Sequence, residues 1–181
     1  MGTEMYTLGP IHPIPENYAG TALVLHNIEK IPPHIGVVFQ GLYYSLSVKG
    51  VKTEIPFQRV ADEIKNKSSV CAIVEIEVPF YIQSPLRYFN NYTALSSNGD
   101  ETCLSPIRDW LEHEMEEEVE LRWEIAASQF VFELIEALRN EHRVGNVYGL
   151  NTTKTELVLP RYTWQDIMNE IERKEQSDAT R

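Results

Sequence analysis

The chain reads as an α+β protein, with a small antiparallel β-sheet packed against a long central helix and shorter helices. Three observations lead there. The β-branched and aromatic runs are concentrated in the first half, the 3.6-residue apolar periodicity dominates the second, and a little more strand returns near the end. No alternating β-α-β units appear, so a parallel doubly wound sheet is not expected.

Residues 1–20 hold three prolines and three glycines and read as an irregular N-terminal arm. "TALVLHNI" (21–28) is a β-rich apolar run. "HIGVVFQG" and "LYYSLSVKGV" follow it, divided at Gln40-Gly41, and read as a β-hairpin. In "EIPFQRVADEIKNK", Phe57, Val60, Ala61 and Ile64 recur at helical spacing. "SVCAIVEIEV" (69–78) is a strand with a nearly continuous apolar start, the mark of burial.

A short helix is expected at 84–92. "SPIRDWLEHEM" then offers Ser105 as N-cap and Pro106 as the first helical residue, with Ile107, Trp110 and Leu111 facing inward. "LRWEIAASQFVFELIEALRNEH" carries Ile125, Ala126, Phe130, Leu134, Ile135 and Leu138 at three- and four-residue steps, which predicts one long, central helix. "NVYGL" and "TELVLP" are β-prone. "TWQDIMNEIERK" opens with Thr163 and Asp166 at capping-box spacing, and residues 175–181 are expected to fray. With no internal repeat or linker, residues 1–181 are expected to form a single domain.

Composition bounds the function. The chain is 43% apolar and 24% charged, which excludes a disordered or collagen-like polymer. No basic-then-apolar leader and no apolar window of membrane-spanning length occur, so a cytoplasmic protein is expected. Its two cysteines, Cys71 and Cys103, are then expected to be reduced thiols. The formal charge of −11 argues against direct nucleic-acid binding, which needs clustered Lys and Arg to neutralise phosphates.

Nucleotide cofactors and the short zinc motifs have no support either. Two cysteines cannot build a zinc framework, and the five histidines form no HxH, HxxxH or HExxH pattern. There is no Walker loop and no GxGxxG. Between Glu101 and His142, by contrast, 12 acids face 3 arginines. Such a block is a solvated helix face, a surface that mimics nucleic acid or docks a basic protein partner, or a metal site built from Glu114, Glu117 and Glu118, whose spacing selects no particular metal.

Two residues carry a possible chemistry. A cysteine nucleophile acts as its thiolate, which a helix N-terminus and a nearby imidazole favour. Cys103 stands just before the helix proposed from Ser105 and follows the polar "SSNGDET", which predicts an accessible thiol. Cys71, inside "SVCAIVEI", reads as a small core hydrophobe. His34 begins the strand after Pro32-Pro33, where a sheet would hold an imidazole rigidly toward a helix start.

The order of these features resembles the circularly permuted papain-like cysteine peptidases and acyltransferases, a group that includes the PPPDE deSUMOylating peptidases and the lecithin retinol acyltransferase-like and lipid-hydrolase-like proteins. "ALVLHNIEKIPPHIGVVFQGLYYSLSVKGV" is similar to the group's HxG strand and hairpin, with His34 at the base position. "ETCLSPIRDWL" is similar to its cysteine-bearing helix start, with Cys103 at the nucleophile position. The resemblance covers about residues 21–112. It departs from the group where Thr102 precedes Cys103, where Pro106 follows it, and where the hairpin offers only Tyr44, Ser45 or Ser47 to orient the histidine.

The resemblance implies a Cys-His hydrolase that cleaves an amide, isopeptide or thioester bond through an acyl-enzyme, on a protein or peptide substrate. The alternative is a non-enzymatic acidic interaction protein, an accessory factor of viral, phage or bacterial type, that binds a basic partner through its helical face. Oligomeric state is not legible in the chain.

Overall fold

The computed structural model describes residues 4–180. Eight strands form one mixed sheet: β1 (Met5–His12), β2 (Ala22–His26), β3 (His34–Phe39), β4 (Leu42–Ser47), β5 (Gly50–Pro56), β6 (Cys71–Ile76), β7 (Val144–Leu150) and β8 (Glu156–Pro160). Six helices complete the fold: α1 (Phe57–Asn66), α2 (Leu86–Phe89), α3 (Ser105–Glu114), α4 (Val119–Ala127), α5 (Val131–Asn140) and α6 (Trp164–Ala179). The strand order is β5-β4-β3-β2-β6-β7-β1-β8. Only β1 and β7 pair in parallel; the other neighbours are antiparallel.

Both faces of the sheet's centre are covered. Leu23, Leu25, Ile35, Val37 and Phe39 point toward the side that carries Ile107, Trp110 and Leu111 of α3 and Ile167 and Ile171 of α6. Val24, Val38, Tyr43 and Ile73 point toward Phe57, Val60, Ala61 and Ile64 of α1. Successive side chains on a strand alternate faces, so a continuous apolar run buries both sides. Each fully buried Leu, Ile or Val contributes about 1.5–3 kcal/mol relative to exposure.

The hairpin of β3 and β4 turns at Gln40 and Gly41, whose φ values of 49° and 79° make the two-residue loop that matches strand twist. α1, β6 and the Thr163–Asp166 capping box form where their local patterns place them.

Four expectations are corrected. The sheet is neither small nor purely antiparallel. Met5–His12 of the expected irregular arm is a strand held between β7 and β8, although residues 1–3 lie outside the described residues. The expected frayed tail is helical through Ala179, with Arg181 outside the described residues.

The long central helix is two. α4 ends at Ala127, Ser128 and Phe130 take extended dihedrals, and α5 starts at Val131. The Glu133 carboxylate accepts the backbone N–H groups of Gln129 and Phe130, at 2.7 and 3.3 Å. The Ser128 hydroxyl donates to the Glu124 carbonyl at 2.8 Å. These bonds satisfy helix-end groups that an uninterrupted helix would have paired itself.

Gly36 is fixed by packing. A Cβ there would lie 2.4–2.6 Å from the Tyr43 ring. Gly36→Ala is therefore expected to cost about 1–3 kcal/mol, the range for overpacking, read as a lower urea midpoint at unchanged slope. An unchanged midpoint would show that Tyr43 is free to move.

Candidate functional site

β3 carries two kinds of residue. Ile35, Val37 and Phe39 anchor it to the α3 side, while His34, Gly36 and Val38 share the opposite face. His34 stands directly across from His26 of β2, with ring centroids 5.3 Å apart. His26 Nε2 is hydrogen-bonded to the Tyr43 hydroxyl at 2.8 Å. The bare Gly36 leaves room for the Tyr43 ring that reaches this bond. The histidine–glycine spacing of "HIG" thus has a physical reason: residues two apart share a face, and the glycine admits an aromatic ring beside the imidazoles.

Burial holds both rings neutral. It depresses the His34 pKa to about 3, with further contributions from His26, Lys174 and Lys52. It depresses that of His26 to about 4, aided by Lys67, Lys52 and Lys174. Removing a charged imidazolium from water is costly, and neighbouring cations add to that cost.

Cys103 occupies a tight turn at the start of α3. Thr102 and Ser105 hold that turn: the Ser105 hydroxyl accepts the Thr102 N–H at 2.8 Å, and the Thr102 hydroxyl accepts the Leu104 N–H at 3.2 Å. Ser105 is the first residue of α3 and Leu104 its N-cap, so the helix begins one residue earlier than the sequence suggests. Pro106 sits in the first turn, where its missing N–H costs nothing.

The Cys103 thiol is half-buried and packs against the α3-side core. Burial raises its pKa; the backbone N–H of Ile35, the Lys174 ammonium and the N–H groups of Cys103 and Leu104 act in the opposite direction. Cys71 differs: it is fully buried, and burial alone pushes its thiol up to about 12.

The structure brings Cys103 and His34 to one cavity of about 40 Å³, whose walls include Pro33, Ser47, Glu170 and Lys174. It does not bring their reactive atoms into a hydrogen bond. The His34 ring is turned to the His26–Tyr43 face, and Cys103 approaches β3 from the other side, against the amide of Ile35. His34 also lines a larger cleft of about 600 Å³, together with His26, Tyr43 and Ser45. One imidazole therefore joins the thiol-bearing cavity to an open cleft.

His26, Tyr43 and Lys174 were not identified from sequence. The only sequence signal for the first is that His26 and His34 flank one short β-connection, which antiparallel pairing turns into a cross-strand pair. Tyr44, by contrast, points to the α3-side core and meets Ser84 at 3.2 Å.

The acidic block is partly internal. Glu114 accepts hydrogen bonds from Tyr88, Arg87 and the Gln83 amide, and Glu118 pairs with Arg143. Glu116, Glu117, Glu120 and Glu124 are exposed and make no ion pair among the described residues. Among the described residues no cluster of three or more His, Cys, Asp or Glu is arranged to hold a metal ion. No described helix is long and apolar enough to cross a membrane. Comparison with known proteins finds no matching family model, no similar curated protein and no similar solved structure.

Proposed function

We propose that the protein is a cysteine hydrolase that opens an amide, isopeptide or thioester bond through an acyl-enzyme, with Cys103 as nucleophile and His34 as base. The observation that carries this reading is the shared cavity: a helix-start thiol beside three backbone N–H groups, and a neutral imidazole on its wall.

The resting pair is thiol and neutral imidazole, because burial raises one pKa and lowers the other. Chemistry then begins with a proton leaving Cys103 Sγ for a ring nitrogen of His34 as the sulfur attacks the substrate carbonyl. This requires the His34 ring to leave His26 and reach the thiol around the start of β3, a movement of the strand end and not of the side chain alone. The new C–S bond forms a tetrahedral oxyanion, for which the N–H groups of Cys103 and Leu104 are the nearest donors on the nucleophile's own turn. Collapse expels the amine or thiol, which takes the proton from His34. Water, deprotonated by the same ring, then attacks the thioester and releases the acid. His26, held by Tyr43, acts as a positioning residue for His34.

A thiol-directed electrophile tests the nucleophile. Labelling of the folded protein is expected to reside on Cys103, to vanish in Cys103→Ala and to persist in Cys71→Ala. Equal, slow labelling of both cysteines would remove this reading.

The histidines make a second prediction through stability. Their folded pKa values lie below the ordinary 6.5, so the unfolded chain binds more protons as pH falls from about 6.5 toward 3–4. Their contribution is complete above pH 6.5 and is lost across that window, at up to about 1.4 kcal/mol per pH unit for each ring. His26→Asn with His34→Asn is expected to flatten the difference in unfolding free energy between pH 6.5 and 4.5. An unchanged slope would mean that the rings are solvated.

A second reading has its own observation. Phe80, Val119 and Trp123 are exposed at 100%, 59% and 75%, and Tyr81 lies beside Glu117. Exposed apolar side chains and free carboxylates of this kind suit a basic protein segment. Glu118 serves Arg143, so the surface test uses Glu116→Lys, Glu117→Lys and Glu120→Lys instead. The interaction reading expects this triple variant to lose a basic partner that Cys103→Ala retains; retention by both at low salt would exclude it.

A further inference from the structure

The 600 Å³ cleft beside His34 has an unusual charge for this chain. Lys49, Lys52, Arg59, Lys67, Arg173 and Lys174 line it, against only Glu63 and Asp178. Six of the protein's 16 basic residues are thus gathered around one opening of a molecule whose net charge is −11. Lys49 and Arg59 are paired to the two acids at 3.5 Å, and Glu170 engages Arg173 and Lys174. Lys52 and Lys67 are exposed and have no ion-pair partner among the described residues. The positive field is therefore not consumed internally.

We propose that this cleft binds an acidic peptide segment, one in which several Asp or Glu side chains are spread along an extended chain. That the segment flanks the scissile carbonyl rests on the hydrolase reading above; binding itself does not.

Three features favour a peptide over a compact phosphate ligand. The cations are distributed over β5, α1, α6 and the β4–β5 turn instead of converging on one point. Four of the six are lysines, point charges that pair singly with carboxylates without the bidentate fork that arginine offers phosphate. Ser45, Ser47, Ser69 and Ser177 add hydroxyls for a peptide backbone.

The placement couples binding to the base. Carboxylates in the cleft oppose the Lys52, Lys67 and Lys174 field that, after burial, keeps His26 and His34 neutral. An acidic segment therefore makes His34 a better proton acceptor as it arrives.

The test uses the full chain with Cys103→Ala, which removes turnover, and an eight-residue Glu-Gly peptide bearing an uncharged dye. Its fluorescence anisotropy is compared with that of the Gln-Gly counterpart. The Glu peptide is expected to bind at least about tenfold tighter at low ionic strength, and the advantage to shrink as salt rises. Lys52→Glu with Lys67→Glu is expected to cancel the preference at an unchanged circular dichroism spectrum and melting midpoint. Equal affinity for the two peptides, or a folded double variant that binds as before, would overturn the inference. Displacement of the peptide by micromolar inorganic pyrophosphate would overturn it in favour of a compact phosphate ligand. Acyl-adduct formation by the wild-type chain separates the two readings. Peptide preference without any adduct leaves the cleft and removes the hydrolase; an adduct from a neutral thioester without peptide preference does the reverse.

Discussion

The double-sided burial of β2, β3 and β6 is the constraint on which the rest of the structure depends. An apolar strand with helices on both faces cannot slip by one residue without exchanging its two sets of side chains. In β3 that register sends Ile35, Val37 and Phe39 to the α3 side and leaves His34 and Gly36 on the α1 side. Everything at the site follows from this assignment. His34 meets His26 because antiparallel pairing opposes them, Tyr43 lies over Gly36 because no Cβ intervenes, and the thiol of Cys103 meets the amide of Ile35 from the other face.

The same constraint sets the protonation state of the candidate site. The imidazoles are half-buried with lysines near, so they remain neutral; the thiol is half-buried, so it stays protonated despite its helix-start position. Local amides and Lys174 oppose the burial of Cys103 without overcoming it. In the proposed reaction the pair acquires its charges only with substrate, and carboxylates bound in the cationic cleft would change the field at His34.

Legibility in the sequence tracked the range of the interactions involved. The β3–β4 hairpin, α1, β6 and the Thr163–Asp166 cap depend on residues near one another in the chain, and their patterns announce them. β1 was hidden because Gly9 and Pro10 oppose strand formation; its pairing comes from β7 and β8, more than a hundred residues away. The break between α4 and α5 was hidden because apolar periodicity runs through it, and the decisive signal is the Glu133 side chain turning back to two amides. At the site, His34 and Cys103 stood out as residue types at element starts. His26, Tyr43 and the gathered lysines emerge only when pairing register and helix placement are known.

Intact mass spectrometry after brief mixing with a small peptide thioester shows whether Cys103 forms a covalent acyl intermediate. A single acyl adduct is expected, mapped to Cys103, reversed by hydroxylamine, absent in Cys103→Ala and slowed in His34→Ala. Acylation confined to surface lysines, at equal rates in all three proteins, would contradict it.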